Sequence, residues 1–221
     1  MIFVEEEIYH VCQKGVDGRI IFPGNSYFQR FLLGMRIFNS WEPAELRNFN
    51  NNTDVQRPEK EKLVEVLAYI LMNNHAHILF RCRTPEGATE FVRKIFGGYV
   101  KYFNLRNKRK GVLFQGRAKV IRVDSDRYFQ HLVNYIHLNA LDYTHPQWRG
   151  GRIKRVLSAK AALLRYPWSS LLGIVGKKDD LIISRHALEE FLNPEELIDS
   201  MLKWSERDQE LLGEQKDYLE P

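Results

Sequence analysis

The chain has 221 residues, 44% of them hydrophobic and 12% aromatic, with a formal net charge of +5. That suffices for one domain with a sizeable core plus an appendage, or for two small domains. No apolar run approaches the roughly 20 residues needed to cross a bilayer, and the acidic stretch Met1 to Glu7 does not read as a signal peptide. A membrane partner is therefore not expected, and a cytoplasmic location is. Cys12 and Cys82 lack the spacing of a zinc module and read as small buried thiols in a reducing compartment.

The charge is unevenly spread. From Lys101 to Arg127 nine Lys/Arg stand against two acids, and from Tyr143 to Arg165 six stand against none. From Gly176 to Pro221 the balance reverses, with 13 acids against six Lys/Arg. A basic middle rich in aromatics (Tyr99, Tyr102, Phe103, Phe114) suits a phosphate backbone with exposed bases. A solvated helix face over core aromatics accounts for it equally well.

In chain order, Ile8 to Gln13 reads as a strand, and Gly15, Asp17 and Gly18 mark a turn. Ile20 and Ile21 could extend a hairpin. Asn25 or Ser26 can cap a helix through Tyr27, Phe31, Leu32, Met35 and Phe38. Asn39 to Lys60 is polar and reads as a surface loop. Leu63 to Met72 is an apolar strand, Asn73-Asn74 a tight turn suited to positive φ, and His75 to Cys82 the return strand. Ala88 to Asn107 has helical periodicity. Phe114 to Val123 reads as a strand, and Ser125 or Asp126 caps a helix to Leu141.

The order β-α-β-β-α-β plus a helix predicts an α+β fold: a ferredoxin-like antiparallel sheet with two helices on one face and the last helix covering the other. The pattern changes after His145. The expected division is a domain over residues 1–145 and a mostly helical extension over 146–221, with helices near Ser158 to Leu164, Arg185 to Phe191 and Glu195 to Trp204.

Two elements carry chemistry. His75 and His77 alternate along a strand, so both imidazoles leave one face and can clamp a divalent metal. Two histidines at this spacing also arise by chance. In the helix Asp126 to Leu141, an apolar stripe of Phe129, Val133, Ile136 and Ala140 should face the core. His131, Tyr135 and Asn139 fall at i, i+4 and i+8 on another face, where Tyr135 could equally be a half-buried anchor. If that helix covers the histidine face, two imidazoles and the Asn139 amide oxygen suit Mg²⁺ or Mn²⁺. Tyr135 can then attack a polarised phosphate.

The sequence resembles the single-tyrosine HUH transposases, and among them the REP-associated tyrosine transposases. The resemblance is carried by Tyr9-His10-Val11, Met72-Asn73-Asn74-His75-Ala76-His77-Ile78-Leu79 and Tyr102-Phe103-Asn104. It continues in Leu113-Phe114-Gln115-Gly116-Arg117, Tyr135-Ile136-His137-Leu138-Asn139 and Tyr166-Pro167-Trp168-Ser169-Ser170. It implies that His75 and His77 are metal ligands, that Asn139 takes the third ligand position, and that Tyr135 forms a 5′-phosphotyrosine with single-stranded DNA and releases a 3′-OH. Gln115, Arg117 and Lys119 would belong to the DNA-contacting region, and the partner would be a repeat hairpin with flanking single strands, not a small molecule. Lys108 and Arg109, in a basic cluster, join them as candidate DNA contacts. A monomer is favoured slightly over a homodimer. Asn73 replaces the family's usual Pro, and Ala140-Leu141-Asp142 replaces its usual Pro-Val-Arg, which removes a basic residue.

His131 reads as a surface histidine, with a supporting partner of the metal site or a proton carrier as the alternative; His137 lies outside the catalytic set, and His10 is a candidate contact to DNA or to a metal ligand. One rival reading is a nucleic-acid-binding module without chemistry on the same fold, although the strands lack the stacking aromatics of RNA-binding sheets. A different metal hydrolase would need further ligands, for which no second cluster has sensible spacing.

Overall fold

The computed structural model describes residues 2–43, 61–150 and 153–207. Four strands, β1 (Ile8–Lys14), β2 (Val64–Met72), β3 (His75–Cys82) and β4 (Lys119–Val123), form one sheet in the order β2-β3-β1-β4. All three pairings are antiparallel. With α1 (Asn25–Phe38) and α2 (Pro85–Arg106) in the crossovers, this is the α+β split βαβ arrangement that the element order predicts. The helix α3 (Asp126–Leu138) follows β4.

β2 is buried at every position. Covered on both faces, such a strand shows no polar alternation, and so it reads as a plain apolar run. Tyr9, Val11, Ala76, Ile78 and Phe80 point to one face, where Phe80 meets Phe91 of α2 edge-on at 5.8 Å. α1 packs beside α2 through Phe31 against Phe96 and Tyr99. α2 starts at Pro85, three residues before the predicted Ala88, because Thr84 Oγ1 accepts from Gly87 N and Pro85 fits the first turn. The cap of α1 is Gly24, with no side-chain cap bond, in place of the expected Asn25 or Ser26.

Three local expectations give way to tertiary contacts. Ile20 and Ile21 do not extend a hairpin; a 3-10 turn at Val16–Gly18 leads into Ile21 and Phe22, whose N–H groups both donate to Asn73 O. The Asn73-Asn74 turn has no positive φ. It is held from outside: Gly15 N donates to Asn74 O, and Asn73 N to the Tyr143 hydroxyl. The last strand begins at Lys119, not Phe114, which makes only an isolated bridge to Gly15. Gly116 separates the two with φ +68, a conformation that glycine adopts without strain.

Beyond α3 come 3-10 turns at Asn139–Tyr143 and Pro146–Gly150, then α4 (Val156–Arg165), α5 (Leu171–Ile174), α6 (Arg185–Glu189) and α7 (Leu197–Arg207). This segment closes the open edge of β2. Leu71 N donates to Trp168 O, Ser170 N to Tyr69 O, and Ser184 N to Val66 O, while the Tyr166 hydroxyl donates to Leu71 O. An exposed strand edge would invite pairing with another chain. The same apolar cluster includes Phe80 of the sheet and Trp148, Leu163 and Met201 of this segment.

The polar stretch read as a loop from Asn39 to Lys60 is built in at its start. Asn39 is buried and exchanges two hydrogen bonds with the Val64 backbone, at 2.9 and 3.0 Å. The rest of that loop, from 44 to 60, and the acidic tail from 208 lie outside the described residues.

Candidate active site

The β1–β3 register sets Cys12 opposite His77 and Lys14 opposite His75. His10, Cys12, His75 and His77 therefore share the sheet face turned away from α1 and α2. α3 covers that face, and the Tyr135 ring stands edge-on to His77 with centroids 5.9 Å apart. The topology thus brings together the two sequence elements that were singled out for chemistry.

Each histidine is held by a neighbour. His75 Nδ1 lies 2.8 Å from Asn74 Oδ1. An amide oxygen can only accept, so Nδ1 carries the proton and Nε2 keeps its lone pair. His77 Nδ1 lies 2.9 Å from His10 Nε2, and the two rings stack. His77 Nε2 lies 3.7 Å from Cys12 Sγ.

Burial acts on all three rings. It pushes His10 down to about 3, with help from the Lys119 charge. It pushes His75 down to about 4, where Arg149 and Lys14 lower it further against the pull of Asp142. It holds His77 well below its ordinary value, reinforced by His75, His10 and Arg149. Neutral imidazoles are the form that binds metal. Donor atoms of His10, Cys12 and His77 lie within 4.8 Å of one another, a group that could hold a metal ion. His10 Nδ1 is buried without a hydrogen-bond partner among the described residues. The donor set fits a divalent ion.

Tyr135 is 2% exposed. Its backbone oxygen accepts from Asn139 Nδ2 at 2.7 Å, across the helix end. Asn139 Oδ1 accepts from Arg149 Nη2 at 2.8 Å, and Arg149 Nη1 lies 3.4 Å from the Tyr135 hydroxyl. Arg149 also donates twice to Asp142, at 2.9 and 2.7 Å. Burial works to lower the Arg149 pKa, but the Asp142 bond and the Tyr135 oxygen outweigh it and hold it above its ordinary value.

His75, His77, Tyr135 and Asn139 thus gather on one side of the sheet. The candidate DNA contacts divide. Lys119 lies opposite Cys12 on the same face, half-buried. Gln115 and Arg117 are exposed in the loop that bonds to the end of β1, through Gln115 N to Lys14 O and Gln13 Nε2 to Gly116 O. Lys108 is exposed at the end of α2 with φ 49. Arg109 is tied into that helix end, donating to Asn104 Oδ1 and Val112 O.

Sequence reasoning missed several neighbours of the site. Arg149 and Asp142 lie beyond the helix, and nothing in their spacing announces them. Cys12, read only as a small buried thiol, abuts His77. His131 is buried, not on the surface, and accepts from Trp204 Nε1 of α7. His10 does contact a candidate metal ligand, as one of its readings held.

Residues 51–139 match the model of the IS200-like transposase family. No curated protein matches the chain. Among solved structures, a REP-associated tyrosine transposase bound to a REP hairpin is similar at 13% identity, over 80% of this chain and 84% of its own, with a TM-score of 0.49. From residue 51 to residue 139, the stretch that holds His75, His77, Tyr135 and Asn139, the chain carries the IS200-like transposase pattern.

Proposed function

We propose that this protein cleaves and rejoins single-stranded DNA at repeat hairpins, with Tyr135 as nucleophile. The observation that carries the reading is the meeting of His77 and Tyr135 across the sheet–α3 interface. The Tyr135 oxygen attacks the scissile phosphorus; the Tyr–phosphate bond forms as the bond to the 3′-oxygen breaks, and the proton lost by the phenol is balanced by one gained at the 3′-OH. The 5′-phosphotyrosine keeps the phosphodiester energy for rejoining.

His75 and His77 would hold Mg²⁺ or Mn²⁺, with Asn139 as a third donor. The ion would supply a positive charge that polarises the phosphate and orients in-line attack. Asn74 fixes the proton of His75 on Nδ1, and His10 engages Nδ1 of His77, so both rings are oriented by neighbours. Cys12 offers a softer donor beside His77. Lys119, Arg117 and Gln115 would receive the strand, with Lys108 and Arg109 as further backbone contacts. No helix among the described residues is long and apolar enough to cross a membrane.

Covalent trapping tests the reading. The protein is incubated with labelled hairpin-bearing single-stranded DNA and Mg²⁺ or Mn²⁺, then run on a denaturing gel beside Tyr135→Phe and His75→Ala. A slow-migrating adduct in the wild type alone is the expected result. Binding without an adduct, over several hairpins, would replace it with a non-catalytic nucleic-acid-binding module.

A further inference from the structure

Arg149 lies outside the stretch that carries the family pattern, on the 3-10 turn Pro146–Gly150. One guanidinium touches both the hydroxyl of Tyr135 and the amide oxygen of Asn139. Its orientation is fixed twice over. Asp142 takes Nε and Nη2 in a two-pronged grip, and the guanidinium packs 4.9 Å from the Trp148 ring centroid and 5.7 Å from that of Tyr135. Trp148 is fully buried and donates from Nε1 to the same Asp142 oxygen that takes Nε of Arg149, at 2.7 Å. Yet the Arg149 side chain is 34% exposed, so the assembly reaches solvent through this residue.

We propose that Arg149 is a positioning residue for Tyr135, aiming its hydroxyl while presenting positive charge to the incoming phosphate; this rests on the proposed role of Tyr135. A planar guanidinium offers several N–H groups in a fixed fork, which matches the phosphate geometry and spans two acceptors at once. The Asp142–Trp148 support keeps the fork still, and a preorganised donor beside a reacting oxygen needs no reordering when charge develops there. Asp142 stands where a basic residue was expected from the resemblance, and its role is to carry the arginine that reaches the same neighbourhood from seven positions downstream.

The test is single-turnover cleavage of labelled hairpin DNA by the full chain, with DNA affinity measured separately. Arg149→Ala should slow adduct formation on the order of a hundredfold, while leaving DNA affinity within about threefold. Arg149→Lys should recover only part of the rate, because one ammonium cannot span the fork. Free guanidinium ion, at concentrations that leave the melting temperature unchanged, should speed Arg149→Ala and not the wild type. A purely structural arginine would give a less stable protein that guanidinium cannot rescue, and that outcome overturns the proposal. Equal rates for wild type and Arg149→Ala overturn it as well. A wild type that forms no adduct removes the role of Tyr135 itself, and the two failures are thereby told apart.

Discussion

Along β1 and β3 the two faces of the sheet are both largely covered, but they cover different things. Toward α1 and α2 lie Tyr9, Val11, Ala76, Ile78 and Phe80, packed against Phe31, Phe91 and Tyr99. Toward α3 lie His10, Cys12, His75 and His77, with Tyr135 and Asn139 above them. The first face gains from every apolar atom removed from water. The second carries a desolvation cost, visible in three histidines driven below their ordinary pKa. Stability alone would not select such a face, and perturbed groups clustered under one helix are what a chemical site requires.

Exchanging a residue on each face should sharpen that contrast. His77→Ala should lower adduct formation by a factor on the order of a thousand or more. It should cost less fold stability than an apolar truncation, about 1–3 kcal/mol, because the buried His10 Nε2 loses its partner as the desolvated imidazole leaves. A stable variant that still forms adduct would break the contrast. Phe91→Ala, under the opposite face, should do the reverse: about 3–5 kcal/mol lost in denaturant unfolding, with normal cleavage per folded molecule.

A smaller effect is expected at the far end of the histidine face. Glu65 is 8% exposed and pairs with Arg83 at 2.6 Å and Arg81 at 3.4 Å; Arg81 also reaches Glu190, just past α6. Glu65→Gln removes the charge from a half-buried network and should cost about 1–3 kcal/mol. Cleavage should stay at the wild-type rate, showing that polarity on this face is not all functional. A rate loss without a stability loss would extend the site to this end.

Much of this contrast was legible in the sequence. Alternation on β3 put His75 and His77 on one face, and the helical spacing from His131 to Asn139 set Tyr135 apart from the apolar stripe. What stayed hidden depends on register and on distant chain. The approach of His10 and Cys12 to His77 follows from the pairing of β1 with β3, which no local pattern states. The second face of α3 looked polar, yet His131, Asn134, Tyr135 and Asn139 are all buried. Trp148 and Trp204, arriving from beyond the helix, cover it. The Asn73-Asn74 turn has no positive φ; three N–H groups from other segments fix its carbonyls, and the Tyr143 hydroxyl accepts from its amide.

The Tyr166 to Ser170 stretch, matched first as a family resemblance, has a physical explanation in the structure, and its last residue gives a sharp test. His137 Nδ1 lies 2.8 Å from Val133 O, a pure acceptor, so Nδ1 holds the proton and Nε2 must accept. Its partner is the Ser170 hydroxyl at 3.0 Å, which donates to it. The same oxygen accepts from Tyr69 N at 2.9 Å. Ser170 thereby joins α3 to the β2 edge with no exposed surface of its own. Ser170→Ala leaves a buried imidazole nitrogen and a buried amide unsatisfied, which should cost about 1–3 kcal/mol. Hydrogen exchange at Tyr69 should accelerate, since opening of the β2 edge becomes easier by that amount. Cleavage per folded molecule should stay at the wild-type rate, because the link joins His137 to the Tyr69 backbone and uses no group of Tyr135 or His77. Unchanged stability would mean that the edge is held by the backbone bonds of residues 168–170 and 184 alone.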